Sequence, residues 1–142
     1  MKARKVYDRF GPHFDVMLYV RDIVRSVTFY QTVLGFEFEG WWSDEHQKHL
    51  QGINGWKSAG KPGYVTLQAG PLNLSLHACD KRVNPNSVIF HLEVNDINEM
   101  YKRFVKRGLN VKPPEDEPWG WRMVFIADPD GHKWGLYSDS KC

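Results

Sequence analysis

From Asp15 the chain alternates, with Val16, Leu18 and Val20 on one side and Asp15, Met17 and Tyr19 on the other. A period of two is that of a strand buried on one face. Asp22 then offers a carboxylate to the start of a helix, and Ile23, Val27, Tyr30, Val33 and Leu34 recur near helical spacing until Gly35. The pattern predicts a helix between a capping Asp and a terminating Gly. Residues 36–42 alternate again, and 63–69 and 72–77 read as two further strands joined at Gly70-Pro71. The first half is therefore βαβββ.

The second half repeats the pattern. Val88, Phe90, Leu92 and Val94 alternate with Ile89, His91 and Glu93, and Asp96-Ile-Asn-Glu99 has the form of a capping box. A helix follows through Met100, Tyr101, Phe104 and Val105 to Gly108, then a short strand over Leu109 to Lys112. Two arms, Arg122 to Ala127 and Lys133 to Tyr137, flank Asp128-Pro-Asp-Gly131. In that turn Pro129 presets φ, Asp130 is expected to bond its own backbone, and Gly131 accepts a positive φ. Asp96 follows Asp22 by 74 positions and Gly108 follows Gly35 by 73, so the strand–cap–helix–glycine order recurs in register. The fold class expected is α+β, two tandem βαβββ half-domains over 13–79 and 87–138, with 80–86 as a polar linker. Residues 43–62, holding His46, His49, Trp56 and Gly60, have no counterpart in the second half and read as an irregular insertion.

Composition narrows the function classes. A chain of 142 residues, 42% hydrophobic, suffices for one domain with a core. Its formal charge of +2 comes from 19 basic and 17 acidic residues dispersed along the sequence, which argues against a nucleic-acid partner. Lys2, Arg4, Lys5 and Arg9 form a basic lead that no apolar run follows, so neither a membrane partner nor a signal peptide is expected and the location expected is cytoplasmic. Cys79 and Cys142 have no metal-type spacing and read as reduced thiols. Six tryptophans exceed the needs of a core this size and suit a ligand or a partner surface.

Four stretches taken together resemble the vicinal oxygen chelate superfamily, which includes glyoxalase I, extradiol dioxygenases and the fosfomycin- and bleomycin-resistance proteins. They are Val20-x-Asp22-x-x-x-Ser26-x-x-Phe29-Tyr30 before Leu34-Gly-Phe36, Val94-x-Asp96, Pro118-Trp-Gly-x-Arg122, and Asp128-Pro-Asp-Gly131. Pro118-Trp-Gly-x-Arg122 looks most like the bleomycin-resistance, small-molecule-binding branch. The resemblance implies that each half curls its strands around a cleft. It also implies a homodimer and, in metal-dependent members, ligands at the start of each half's first strand and on a last strand. Those positions here are Asp15, Ile89, Ser75 and Gly135. Ile and Gly bring no donor and Ser is a poor neutral ligand, so no metal and no cofactor are expected there.

Parity places Asn73, Ser75 and His77, then Ile89, His91 and Glu93, then Lys133, Gly135 and Tyr137 on the cleft side. The ligand-binding candidates are Trp41, Trp42, Trp56, Ser75, His77, His91, Glu93, Trp119, Trp121 and Tyr137. Gly135 is expected to leave space where metal-dependent relatives carry a carboxylate, so Gly135→Glu should fill the cleft. No nucleophile motif and no phosphate loop is present. The function expected is metal-free binding or sequestration of a small molecule, an aromatic compound or antibiotic, as in antibiotic resistance; the slightly basic chain favours an anionic or neutral aromatic compound over a cationic glycopeptide. Two readings stay open beside it. One is a metal-dependent lyase, isomerase or dioxygenase with a displaced site of His77, His91, Glu93 and Asp15, in which His91 beside Glu93 or His77 would also serve acid-base chemistry. In the other, the tryptophans serve only protein contacts.

Overall fold

The computed structural model describes residues 14–57, 63–86 and 88–140. They divide into two compact units. The first takes the described residues up to Val27 and those from Gly35 to Val83; the second takes Thr28–Leu34 and those from Asn84 onward. His13, Gly60, Cys142 and the basic lead lie outside the described residues.

In the first unit β1 (Phe14–Val20) lies parallel to β5 (Leu72–Ala78). A two-residue turn at Gly70 and Pro71 returns β4 (Tyr64–Ala69) antiparallel to β5, and β4 then pairs with β2 (Glu37–Ser43). One face of this sheet buries Leu18, Val20, Val65, Leu67, Leu74, Leu76 and Trp41, the apolar phase of the alternation. The insertion is not irregular throughout. Lys48–Gln51 forms β3 on the free edge of β2, giving the order β1-β5-β4-β2-β3. Four residues are too few for a period of two to stand out in sequence, and the strand exists because β2 offers it an edge.

The second unit has the order β6-β9-β8-β7. Here β6 (Ile89–Glu93) runs parallel to β9 (Lys133–Asp139), and β9 pairs antiparallel with β8 (Trp121–Ala127). The strand expected over Leu109 to Lys112 does not form. The edge strand is β7, only Glu115–Asp116, because Pro113 and Pro114 carry no N–H and stand between that run and the ladder. Two strand starts also shift by a residue, to Glu37 and Ile89.

Both helices begin and end as their sequences dictate. The Arg25 N–H donates to Asp22 Oδ1 at 3.1 Å, capping α1 (Ile23–Phe29). Its last part widens into a π-helical turn, Tyr30–Leu34, before Gly35 at φ 75°. Asp96 Oδ1 accepts from the Asn98 and Glu99 N–H groups at the start of α2 (Ile97–Lys106). At its other end Leu109 N donates to Phe104 O and Gly108 N to Val105 O, with Gly108 at φ 82°, the paired bonds of a Schellman motif.

The Asp-Pro-Asp-Gly turn does more than reverse the chain. Gly131 N donates to Asp128 O, and Gly131 has φ 90°. The side chain that holds the turn is Asp128, whose Oδ1 accepts from the N–H groups of Asp130 and His132 at 2.9 and 2.8 Å. Its Oδ2 takes the buried Tyr30 hydroxyl at 2.7 Å, and that hydroxyl accepts from Trp134 Nε1 at 3.1 Å. Burial pushes the Asp128 carboxyl above the ordinary carboxylate range; the Tyr30 hydrogen bond and His132 pull it down without cancelling the shift. Burial, followed by the charge of Asp128, raises the Tyr30 phenol well above its usual value.

Two outcomes follow for the Tyr30–Asp128 pair. Tyr30→Phe removes a donor from a buried carboxylate and is expected to cost about 1–3 kcal/mol, read as a lower urea midpoint. A loss within experimental error would show that the bond contributes nothing. A carboxyl with a raised folded-state pKa holds its proton more tightly when folded. Its contribution to stability therefore falls as pH climbs from the ordinary value of 3.8 through the raised one. Asp128→Asn is expected to flatten this descent in urea titrations across that window, and an unchanged slope would assign it to another group.

Candidate functional site

The sheet face turned away from each unit's core carries the candidate chemistry. In the first unit, register places Asp15, Met17 and Tyr19 beside Asn73, Ser75 and His77, with Tyr64, Thr66 and Gln68 on the next strand. Gly40 and Trp42 follow on β2, opposite Gln51 and His49 on β3. Along this row the chemistry changes from polar pairs to rings. Asn73 Nδ2 donates to Asp15 Oδ1 at 2.7 Å, and the Thr66 and Ser75 hydroxyls lie 3.2 Å apart. The His77 ring sits 5.5 Å from Tyr19 and 5.9 Å from Tyr64, centroid to centroid.

Beside those rings a pocket of about 490 Å³ opens, lined by Trp42, Asp44, His49, Gly63, Tyr64 and His77. Its volume suits a small organic molecule. The His49 imidazole reaches this wall because Gly40 has no side chain: a Cβ there would collide with the His49 ring and with the Leu50 carbonyl. Trp42 Nε1 donates to Asp44 Oδ1 at 3.0 Å, which fixes both the indole and the carboxylate. Next to His77, Tyr19 accepts from Arg82, whose Nη1 donates to the Tyr19 hydroxyl at 3.3 Å.

Of the first-unit candidates, Trp42 and His77 line the pocket. Ser75 is buried in its pair with Thr66 in the middle of the sheet. Trp41 is buried on the core face, and Trp56, also buried, packs on Phe38 with ring centroids 5.2 Å apart. Sequence reasoning passed over Asp44, His49 and Tyr64. Tyr64 was readable, since counting outward from the Gly70-Pro71 turn brings it opposite His77. His49 was not, because its position depends on the β2–β3 pairing and on the absence of a side chain at Gly40.

In the second unit the corresponding face holds Ile89, His91 and Glu93 on β6, Lys133, Gly135 and Tyr137 on β9, and Trp121, Met123 and Phe125 on β8. Trp121 stacks on Tyr137 at 3.8 Å and 14°, and His91 meets Trp121 edge-on at 5.8 Å. Glu93 pairs with Tyr137 and is exposed. The space expected at Gly135 is already taken. A Cβ there would stand 2.9 Å from Phe125 Cε1, 3.0 Å from His91 Cδ2 and 3.1 Å from Met123 Cε. Gly135 permits close packing and leaves no gap, so Gly135→Glu would displace these side chains before it met any ligand. Trp119 is 60% exposed in the turn before β8. Arg122, from the Pro-Trp-Gly-x-Arg stretch, lies on the opposite face. Its Nε donates to Asn98 Oδ1 and its Nη1 to Asp116 Oδ1, both at 3.0 Å, tying β7 and α2 to β8.

The positions that hold metal in related folds do not fit an ion here. Asp15 is engaged by Asn73, Ser75 by Thr66, Ile89 is hydrocarbon and Gly135 has no side chain. Nor do Asp15 and His77 converge: Asp15 pairs with Asn73, four residues and so roughly 13 Å along the strand from His77. Among the described residues no three of His, Cys, Asp and Glu gather as a metal-binding group. A wider groove of about 1050 Å³ runs along α2, lined by Glu93, Asp96, Glu99, Lys102, Arg103 and Lys106 among others. Its mixed charges are those of a solvated helix face.

Solved structures share this architecture. TnmS3, an antibiotic binding protein from Streptomyces sp. CB03234, is 21% identical, covers 92% of this chain and 98% of its own, and superposes with a TM-score of 0.66. A bleomycin resistance determinant encoded on the transposon Tn5 is 22% identical over 90% of this chain and 98% of its own, with a TM-score of 0.62. An uncharacterized protein of Mycobacterium bovis is 40% identical over 50 residues, 34% of this chain. The chain spans about a third of the length of such curated relatives, 33% in this case. No helix among the described residues is long and apolar enough to cross a membrane. Residues 13–136 match the family described as the Glyoxalase/Bleomycin resistance protein/Dioxygenase superfamily, and with the duplicated half-sheet architecture already in view, this chain belongs to that superfamily.

Proposed function

We propose that this protein binds and sequesters a small aromatic molecule of the antibiotic class, without a metal, as a cytoplasmic homodimer. The observation that carries the reading is the pocket on the first unit, where the rings of Trp42, Tyr64, His77 and His49 line a volume of about 490 Å³. Apolar walls with a few placed polar groups are the usual form of a site that holds a small organic ligand. The donor set supports the same choice, since the family's metal positions hold one engaged carboxylate and three groups that do not ligate divalent ions well. An antibiotic-binding protein of the same fold adds support. The second unit's ring cluster, Trp121 with Tyr137 and His91, is a second aromatic surface that the homodimer would enclose.

The test is calorimetric titration of the purified protein with a panel of aromatic antibiotics, alongside tryptophan fluorescence. Saturable binding is expected with at least one member. Trp42→Ala and Tyr64→Ala are each expected to weaken it about three- to tenfold, the worth of one aromatic contact. Binding that both variants leave untouched would move the site elsewhere. Metal analysis of protein purified without chelators is expected to find no stoichiometric ion; near-stoichiometric zinc, iron, manganese or nickel lost in His91→Ala would establish the enzyme reading instead.

A further inference from the structure

The pocket on the first unit has a charge asymmetry that bears on what it accepts. Among the described residues its lining comprises four aromatic or imidazole rings from the sheet and its edge, Trp42, Tyr64, His77 and His49, with Gly63 and a single formally charged group, Asp44. The carboxylate is exposed and oriented, because its Oδ1 accepts from the indole N–H of the tryptophan that forms the adjacent wall. Among the described residues no basic side chain lines the pocket. Lys48 alternates with His49 along β3 and so points from the other face of the sheet, and Arg82 is engaged at Tyr19, its guanidinium 5.7 Å from that ring's centroid.

Aromatic faces and a carboxylate attract the same kind of group. Aromatic rings carry a negative quadrupole on their faces, which favours a cation, and a carboxylate adds the countercharge. A carboxylate-bearing ligand would meet the opposite, repulsion from Asp44 with no cation among the described lining residues to offset it.

The geometry points to a planar aromatic compound bearing a protonated amine, its ring against Trp42, Tyr64 and His77 and its ammonium against Asp44. The inference rests on the binding function proposed above and specifies its ligand class. It also assigns the insertion a role, since Asp44 and His49 both come from the segment with no counterpart in the second half. Asp44 is then a specificity-determining residue. The overall charge of +2 is no guide to this pocket.

Three probes with one ring system separate the possibilities: naphthylmethylamine, naphthylmethanol and naphthoate, each titrated calorimetrically into the intact protein at neutral pH. The amine is expected to bind about tenfold more tightly than the alcohol, and the acid most weakly of the three. Raising the salt concentration should shrink the preference, because the carboxylate is exposed. Asp44→Asn keeps an acceptor for the Trp42 indole and is expected to bring the amine down to the alcohol's affinity while leaving the alcohol within about twofold. The inference is overturned if the acid or alcohol binds as tightly as the amine, if the preference is indifferent to salt, or if it survives in Asp44→Asn. Should none of the three probes saturate, the pocket itself is not the ligand site and the binding function assigned to it fails.

Discussion

Tyr30 and Asp128 meet across 98 residues of sequence, phenol to carboxylate at 2.7 Å, with 0% and 5% of their surfaces exposed. A carboxylate in such surroundings is tolerable only with its acceptor positions filled. Two backbone N–H groups of the Asp-Pro-Asp-Gly turn fill one oxygen and Tyr30 the other. The consequence is that the turn's shape, the position of β9 beyond it and the residues 28–34 are set together. Trp134, on β9, donates to the same phenol, so the second unit's largest buried indole is fixed by the same contact. The widening of the helix at Tyr30–Leu34 occurs where Tyr30 must present its hydroxyl to Asp128.

On this frame the two units hold the same strand order apart from β3, yet their exposed faces differ in kind. Each has a glycine on which a neighbouring side chain lies down. Gly40 receives the His49 imidazole, while Gly135 receives Phe125, His91 and Met123 together. At Gly40 one ring moves in at the sheet edge and a pocket remains beside it. At Gly135 three side chains converge on the middle strands and the surface closes. The difference comes from what stands opposite each glycine, a short edge strand in one unit and a central strand rich in bulky side chains in the other.

The chemistry then divides by strand. Toward β1 the first unit's face carries mutual pairs, Asn73 with Asp15 and Ser75 with Thr66. Toward β2 and β3 the rings begin, and among the described lining residues the one formal charge is a carboxylate braced by an indole. A metal-binding face needs several convergent donors, and among the described residues no three of His, Cys, Asp and Glu gather as such a group.

Much of the fold was legible before any coordinates. The period of two in the strands, the carboxylates of Asp22 and Asp96 at helix starts, and the glycines at 35 and 108 are local signals, and each reports a preference the backbone obeys wherever the segment goes. Parity along those strands also tells which side chains share a face, Asn73, Ser75 and His77 in the first unit and Ile89, His91 and Glu93 in the second, but the choice between Trp41 and Trp42, both candidates in the sequence, was not drawn from it. What parity could not tell was occupancy: that Ser75 is taken by Thr66, that the space at Gly135 is filled, and that His49 lies across Gly40. Nor could it tell that Asp128 reaches a tyrosine far away in sequence, or that a four-residue run would find an edge to join. These depend on which residues meet across strands, and only the closed tertiary structure, where each buried polar group needs a partner and each gap a neighbour, decides them.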